Sequence, residues 1–139
     1  AAALGVLVVE RSYAFSASHR YYRPEWTAEM NRAVFGRCAN FPAHGHNYRL
    51  TVKVEGQAGA DGMVFDFFNL DAFAAPLVAE IDHRCLNDIE GLDNPTAELI
   101  AAWFLVRLRD ALGKYIYTRL GCRVYETPEC WAEVWSDGR

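Results

Sequence analysis

The sequence predicts an α+β fold, on three observations. Residues 46–56 alternate strictly, with Tyr48, Leu50, Val52 and Val54 set against Arg49, Thr51, Lys53 and Glu55. That is the period of a half-buried strand. Leu70, Phe73, Ala74, Leu77, Val78 and Ile81 recur at helical spacing and form one apolar stripe. Strand patterns gather towards the two ends of the chain and helical patterns in the middle, which suits segregated layers better than a parallel α/β sheet.

The first strand is expected over residues 5–18, beginning within an apolar run from Leu4 to Val9, with His19 at its end. Both faces of this run are apolar at the start, so it should be covered on both sides. Residues 20–43 show no clean period and are punctuated by Pro24, Asn31, Gly36 and Pro42. A polar stretch from Thr27 to Arg32 has room for one helical turn, and Tyr21, Tyr22, Trp26 and Phe35 argue that the connection is ordered. The strand at 46–56 follows. A turn at 56–62 then leads to a short strand at 63–67, expected to pair with it as a hairpin.

The stripe from Leu70 to Ile81 is interrupted by Pro76, which should kink it or start a new turn. Asn94-Pro95-Thr96 reads as a helix start, with Asn94 as the cap and Pro95 in the first helical position. That helix should run to about Leu112 and stop at Gly113. Residues 121–127 and 130–136 close the chain as a hairpin around Pro128-Glu129. The order is β-β-β-α-α-β-β, with four principal strands and two helices.

Length suggests one domain, residues 1–139, with a core of ordinary size. A hydrophobic fraction of 52% marks a globular chain. A formal charge of −4 argues against a general nucleic-acid binder but leaves room for a local basic pocket. The run from Leu4 to Val9 is too short to span a membrane and lacks the flanks of a signal peptide. Cys38, Cys85, Cys122 and Cys130 show no C-x-x-C spacing, so free thiols in a reducing, cytoplasmic compartment are expected.

The chemistry concentrates between Cys38 and Tyr48. His44 and His46 lie two apart, so on a strand they share a face, and by parity it is the buried face of Tyr48 and Leu50. Gly45 between them places no side chain that could crowd a ligand. A lone buried histidine is most often a hydrogen-bonded core residue. Two in H-x-H, with His19 at another strand end, point instead to a metal site. Three histidines with an open fourth position is the pattern of a catalytic zinc. Cys38, Asp82 and His83 are the other chemically capable groups. A nearby imidazole can lower a cysteine pKa and make it a base or nucleophile. The plainer reading of Asp82-His83 is a helix C-terminus with a favourably placed imidazole.

With these residues in view, the chain resembles the 6-pyruvoyl-tetrahydropterin synthase and 6-carboxytetrahydropterin synthase family over nearly its whole length. The resemblance is carried by Phe15-Ser16-Ala17-Ser18-His19-Arg20, by Cys38 separated by five residues from His44-Gly45-His46-Asn47-Tyr48, and by Gly62-Met63-Val64. It continues in Asp82-His83 with Leu86-Asn87, in Asn94-Pro95-Thr96-Ala97-Glu98, and in Val124-Tyr125-Glu126-Thr127. It implies the tunnelling fold (T-fold): a four-stranded antiparallel sheet with two helices on one face, three subunits closing a twelve-stranded barrel, and two trimers stacked into a hexamer.

The resemblance also implies roles. His19, His44 and His46 bind Zn2+. Cys38, Asp82 and His83 form a proton-transfer triad assembled across a subunit boundary. Glu126 anchors the pterin, and Thr96 and Glu98 line its pocket. The implied substrate is 7,8-dihydroneopterin triphosphate. The implied reaction is elimination of triphosphate to 6-pyruvoyl-tetrahydropterin, or side-chain cleavage to 6-carboxytetrahydropterin on the route to queuosine and deazapurines. Many bacterial enzymes of the 6-carboxy type have a shorter gap between the cysteine and His-Gly-His, so the longer gap here favours the pyruvoyl product. A non-catalytic zinc- or pterin-binding protein on the same scaffold, and a three-histidine zinc hydratase or hydrolase, are the rival readings. Arg20, Lys53 and Arg84 are the nearest basic candidates for the triphosphate.

Overall fold

The computed structural model describes residues 5–136. Leu4, the start of the apolar run, lies outside them. The strands are β1 (Leu7–His19), β2 (His44–Gly56), β3 (Arg119–Thr127) and β4 (Cys130–Trp135). They form one antiparallel sheet in the order β1-β2-β3-β4. The helices are α1 (Ala28–Phe35), α2 (Phe67–Ile81) and α3 (Ala97–Ala111). Helix α2 packs against β1, and α3 lies across β3 and β4. No helix among the described residues is long and apolar enough to cross a membrane.

The alternation read in β2 is the division between the two faces of the sheet. Leu50, Val52 and Val54 are fully buried with Leu120, Cys122 and Val124 of β3. They meet Leu70, Ala74, Val78 and Ile81 of α2 and Ile100, Phe104 and Leu108 of α3. Removing each large side chain of this kind from water contributes about 1.5–3 kcal/mol. Phe15 stacks on Tyr48 with ring centroids 5.0 Å apart, and Phe104 meets Phe15 edge-on at 5.9 Å. These rings set the depth at which the next residues along β1 and β2 begin.

The opposite face is polar and cross-linked. Lys53 Nζ lies 2.7 Å from Glu133 and 3.2 Å from Glu10, and Arg123 Nε lies 2.7 Å from the same Glu133 oxygen. The network therefore touches all four strands. Gly121 is needed here for close approach, because a Cβ at that position would come within 2.7 Å of the Trp135 ring.

Four expectations change. Residues 63–67 do not form a strand. Asp61 accepts from the Met63 N–H, Gly59 N–H donates to the Met63 carbonyl, and Asp66 caps α2 by accepting from Phe68 N–H. The Met63 N–H and carbonyl, which a strand ladder would need, are thus taken locally. The long connection holds a helix, α1, rather than a single turn. Its cap Thr27 accepts from Met30 N–H, and the buried Asn31 side chain bonds the Arg23 N–H, the Arg23 carbonyl and the Thr27 carbonyl. Helix α2 neither stops nor restarts at Pro76, which sits on its exposed side. Helix α3 starts two residues late. Thr96 is the cap and accepts from Leu99 N–H, while the Asn94 side chain is used by Tyr22 N–H.

Candidate metal centre

Cross-strand register builds the site. His19 is paired with His44 and Ala17 with His46, so the three imidazoles leave one face at the same end of the sheet. Ring centroids are 4.5 Å apart for His19 and His44, and 4.9 Å for each of the other two pairs. His19 Nε2 lies 2.9 Å from His44 Nε2. A register shift in β3 between Tyr125 and Thr127 surrounds Glu126. Glu126 Oε1 sits 3.0 Å from His46 Nε2 and 3.4 Å from His19 Nε2. One ligand atom from each of His19, His44, His46 and Glu126 falls within 4.8 Å of the other three. Gly45 does not clear this space. A side chain there would meet the Ala17 carbonyl, at an ordinary 3.6 Å.

The surroundings hold down the pKa of His19 and of His46. His19 is fully buried, and that burial, with His44 and His46 beside it, lowers its pKa to about 4. Burial also lowers His46, against the pull of the Glu126 carboxylate. The Tyr48 hydroxyl lies 2.7 Å from His19 Nδ1, so Nε2 is the nitrogen presented to the cluster. Tyr21 packs its ring on His19 at 4.5 Å, and its hydroxyl faces both Glu126 oxygens at 3.3 and 3.4 Å.

The residues fit a cation. His46 Nε2 is buried and makes no well-aligned hydrogen bond, and a carboxylate oxygen is its near neighbour. A lone pair facing an anionic oxygen is repulsive unless a proton or a metal ion lies between them. Three converging imidazoles are a donor set for a divalent ion such as zinc, and the Glu126 carboxylate beside them adds a negative field.

Cys38 lies on the Glu126 side of this cluster, in a 3-10 turn at Gly36–Ala39. Burial and Glu126 both push its thiol pKa up. All four cysteines are free. Asp82 and His83 lie elsewhere, at the end of α2 and against the outer edge of β1. Ser16 N–H donates to Asp82 Oδ1 at 2.9 Å, and His83 N–H donates to the Ser16 carbonyl at 2.6 Å. His83 Nδ1 lies 2.9 Å from Asp82 Oδ1, and its side chain is 79% exposed. Its φ of 60° is uncommon for a side-chain-bearing residue. The Ser16 N–H and the His83 partnership hold the Asp82 pKa below the usual carboxylate range. Among the described residues, no hydrogen bond or ion pair joins Cys38 to His83.

Thr96 spends its hydroxyl on the α3 cap, and Glu98 sits in the first turn of α3 within electrostatic reach of Tyr21. A cavity of about 740 Å³ opens beside this loop, lined in part by Arg20, Tyr22, Phe41, Asn87, Asn94 and Leu99. Of the basic candidates, Lys53 is held on the far face of the sheet. Arg20 donates to the Ala39 carbonyl and stacks over Tyr22, and Arg84 donates to the Glu80 carbonyl beside His83. Sequence reasoning put Tyr48 on the face of His44 and His46 without giving it a role, and it missed Tyr21 as a neighbour of the imidazoles. The parity that grouped His44 with His46 also includes Tyr48, and that signal was available. Tyr21 lies past the end of β1, where parity says nothing.

Comparison with known proteins agrees with this geometry. Residues 8–137 match the 6-pyruvoyl tetrahydropterin synthase family. The chain is 33% identical over 128 residues to the human 6-pyruvoyl tetrahydrobiopterin synthase, covering 86% of this chain and 84% of that one. It is 36% identical over 110 residues to the Synechocystis 6-carboxy-5,6,7,8-tetrahydropterin synthase, covering 75% of this chain and 76% of that one. The structure of the Caenorhabditis elegans 6-pyruvoyl tetrahydropterin synthase superposes with a TM-score of 0.86 at 27% identity, over 96% of this chain and 98% of that one. The four-stranded sheet with helices on one face is therefore the T-fold, and the chain belongs to the 6-pyruvoyl tetrahydropterin synthase family.

Proposed function

We propose that this chain is a zinc-dependent lyase that converts 7,8-dihydroneopterin triphosphate to 6-pyruvoyl-tetrahydropterin with loss of triphosphate. The observation that carries the reading is the convergence of His19, His44 and His46 beside Glu126, with one ligand atom of each within 4.8 Å of the others. When bound, zinc supplies Lewis acidity towards substrate oxygens.

The chain's own residues then divide the work. Glu126 accepts hydrogen bonds from the pterin amino group and ring N–H, a two-point contact that suits a carboxylate. Thr96 and Glu98 border the pterin. Cys38 carries the proton. Its raised pKa in the isolated chain calls for a further group to draw the proton away, and the Asp82–His83 pair is that group. Asp82 holds His83 Nδ1 and leaves Nε2 facing outwards from the β1 edge. A second subunit docked there brings its own Cys38 to the imidazole.

The sheet edges support this assembly. β1 and β4 are the outer strands, and the unpaired stretch of a β1 edge can accept the β4 edge of a neighbour. Three four-stranded sheets so joined close a twelve-stranded barrel without free edges, and two such trimers make the hexamer. Four free cysteines suit a cytoplasmic setting.

A second reading, the 6-carboxy product, is favoured by the 36% identity to the Synechocystis protein. The five residues between Cys38 and His44 favour the pyruvoyl product. Incubating the zinc-loaded protein with 7,8-dihydroneopterin triphosphate and weighing the product by mass spectrometry decides between them. Recovery of unchanged substrate would sink both and leave a non-catalytic binder.

A further inference from the structure

The backbone just beyond His19 is held by a side chain that the proposed chemistry does not use. Arg20 N–H donates to Asn87 Oδ1 at 2.8 Å, and Asn87 Nδ2 donates to the Arg20 carbonyl at 2.7 Å. One carboxamide thus binds both backbone groups of the residue that follows the most buried imidazole. The same Nδ2 reaches the Asp93 carbonyl at 3.2 Å. Alongside, Tyr22 N–H donates to Asn94 Oδ1 at 3.2 Å. Residues 93 and 94 are therefore tied to Arg20, through Asn87, and to Tyr22, and two residues further on is Thr96, the cap of α3.

The need for such a clamp follows from where β1 ends. His19 is the last residue of the β1–β2 ladder, so from Arg20 onwards no strand pairing fixes the backbone. A ligand on a frayed strand end can swing by more than the few tenths of an ångström that a metal tolerates. Asn87 supplies the missing partner by pairing with Arg20 as a neighbouring strand would. It is itself anchored, because it lies in the 3-10 turn Leu86–Asp88 and the adjacent Cys85 forms a bridge with Ser18 of β1.

We propose that Asn87 is a positioning residue for the metal centre. It fixes His19 in its ligating orientation and couples that orientation to the loop at residues 93–96. The inference rests on the metal reading above. Asn87 touches neither the ion nor the substrate in this scheme.

The test uses the full chain stripped of metal by chelation. Zinc affinity is measured by competition with a chromophoric chelator, and Co2+ is titrated while its visible ligand-field absorption is recorded. Asn87→Ala should weaken both ions by about 10–100-fold and reduce or shift the cobalt band, as expected for loss of an outer-shell partner. Its metal-free unfolding midpoint should stay within a few degrees of wild type. Asn87→Asp keeps the acceptor for Arg20 N–H but sets an anionic oxygen against the Arg20 and Asp93 carbonyls, so its affinity should fall at least as far as that of Asn87→Ala. Wild-type affinity and an unchanged cobalt band in Asn87→Ala would overturn the proposal. Failure of both variants to fold without metal would also overturn it, since Asn87 would then serve the fold and not the site. If the wild-type chain binds neither ion, the metal reading itself fails, and that outcome is distinct from the other two.

Discussion

His19 Nε2 stands 2.9 Å from His44 Nε2, two ring nitrogens of paired strands aimed at one another. Both cannot present a lone pair at that distance without a proton or an ion between them. Zinc binding should therefore stabilise the fold by linkage, by about 2.7 kcal/mol at a hundredfold excess over Kd. Calorimetric unfolding of the metal-free protein with and without zinc measures this directly. His44→Ala should abolish the increment. An identical midpoint with and without zinc in the wild type would remove the metal centre from consideration.

Glu126 faces His46 at 3.0 Å and the Tyr21 hydroxyl at 3.3 and 3.4 Å. If its carboxylate is the pterin anchor, Glu126→Gln should cost one charge-assisted pair, about 1.5–3 kcal/mol, or roughly a 10- to 100-fold loss of pterin affinity. Fluorescence titration with a pterin that lacks the triphosphate isolates this contact. Unchanged affinity would favour a three-histidine hydratase or hydrolase, for which Glu126 has no pterin to hold.

On the far face of the sheet, Glu133 has a pKa lowered to about 2. Burial opposes the shift, and hydrogen bonds from Lys53, Trp135 and Arg123 outweigh it. A carboxylate lowered in the folded state stabilises above its unfolded pKa of 4.5 and loses that contribution as pH falls through about 2. Stability should therefore drop by about 1–3 kcal/mol across that window, allowing for the partial exposure of the group. In Glu133→Gln the drop should be smaller by that amount, the other carboxylates still contributing. Urea unfolding at a series of pH values reads the difference, and parallel curves for the two proteins would refute the assignment.

The sequence made β2 legible because alternation over that strand is strict, and the imidazoles of His44 and His46 came with it. The partnership of His19 with His44 was not legible. It depends on which residue of β1 lies opposite His44, and register is a property of two strands. The strand expected at 63–67 failed for a related reason. Of its apolar residues Phe65 is buried, but Met63 and Phe67 are exposed, and the Met63 N–H and carbonyl are already taken by Asp61 and Gly59. Asn87 gave no local signal at all, since its partners are the backbone of Arg20 and Asp93, and side-chain patterns carry no trace of backbone demand.

Cys38 and His83 are the pair that one chain leaves apart. Cys38 sits by Glu126 with its thiol pKa raised, and His83 stands at the β1 edge with its side chain 79% exposed. If the triad forms between subunits, Cys38→Ala and His83→Ala should each lose turnover by at least about a hundredfold, the usual scale for a proton-transfer group. Co-expressed with different tags and purified through both, the two variants should regain activity. Random pairing in a closed symmetric assembly restores both residues at roughly a quarter of the sites. A triad contained within one chain gives no such recovery, because every subunit then lacks one member. Turnover in the doubly tagged oligomer no higher than in either parent would rule out a triad shared between subunits.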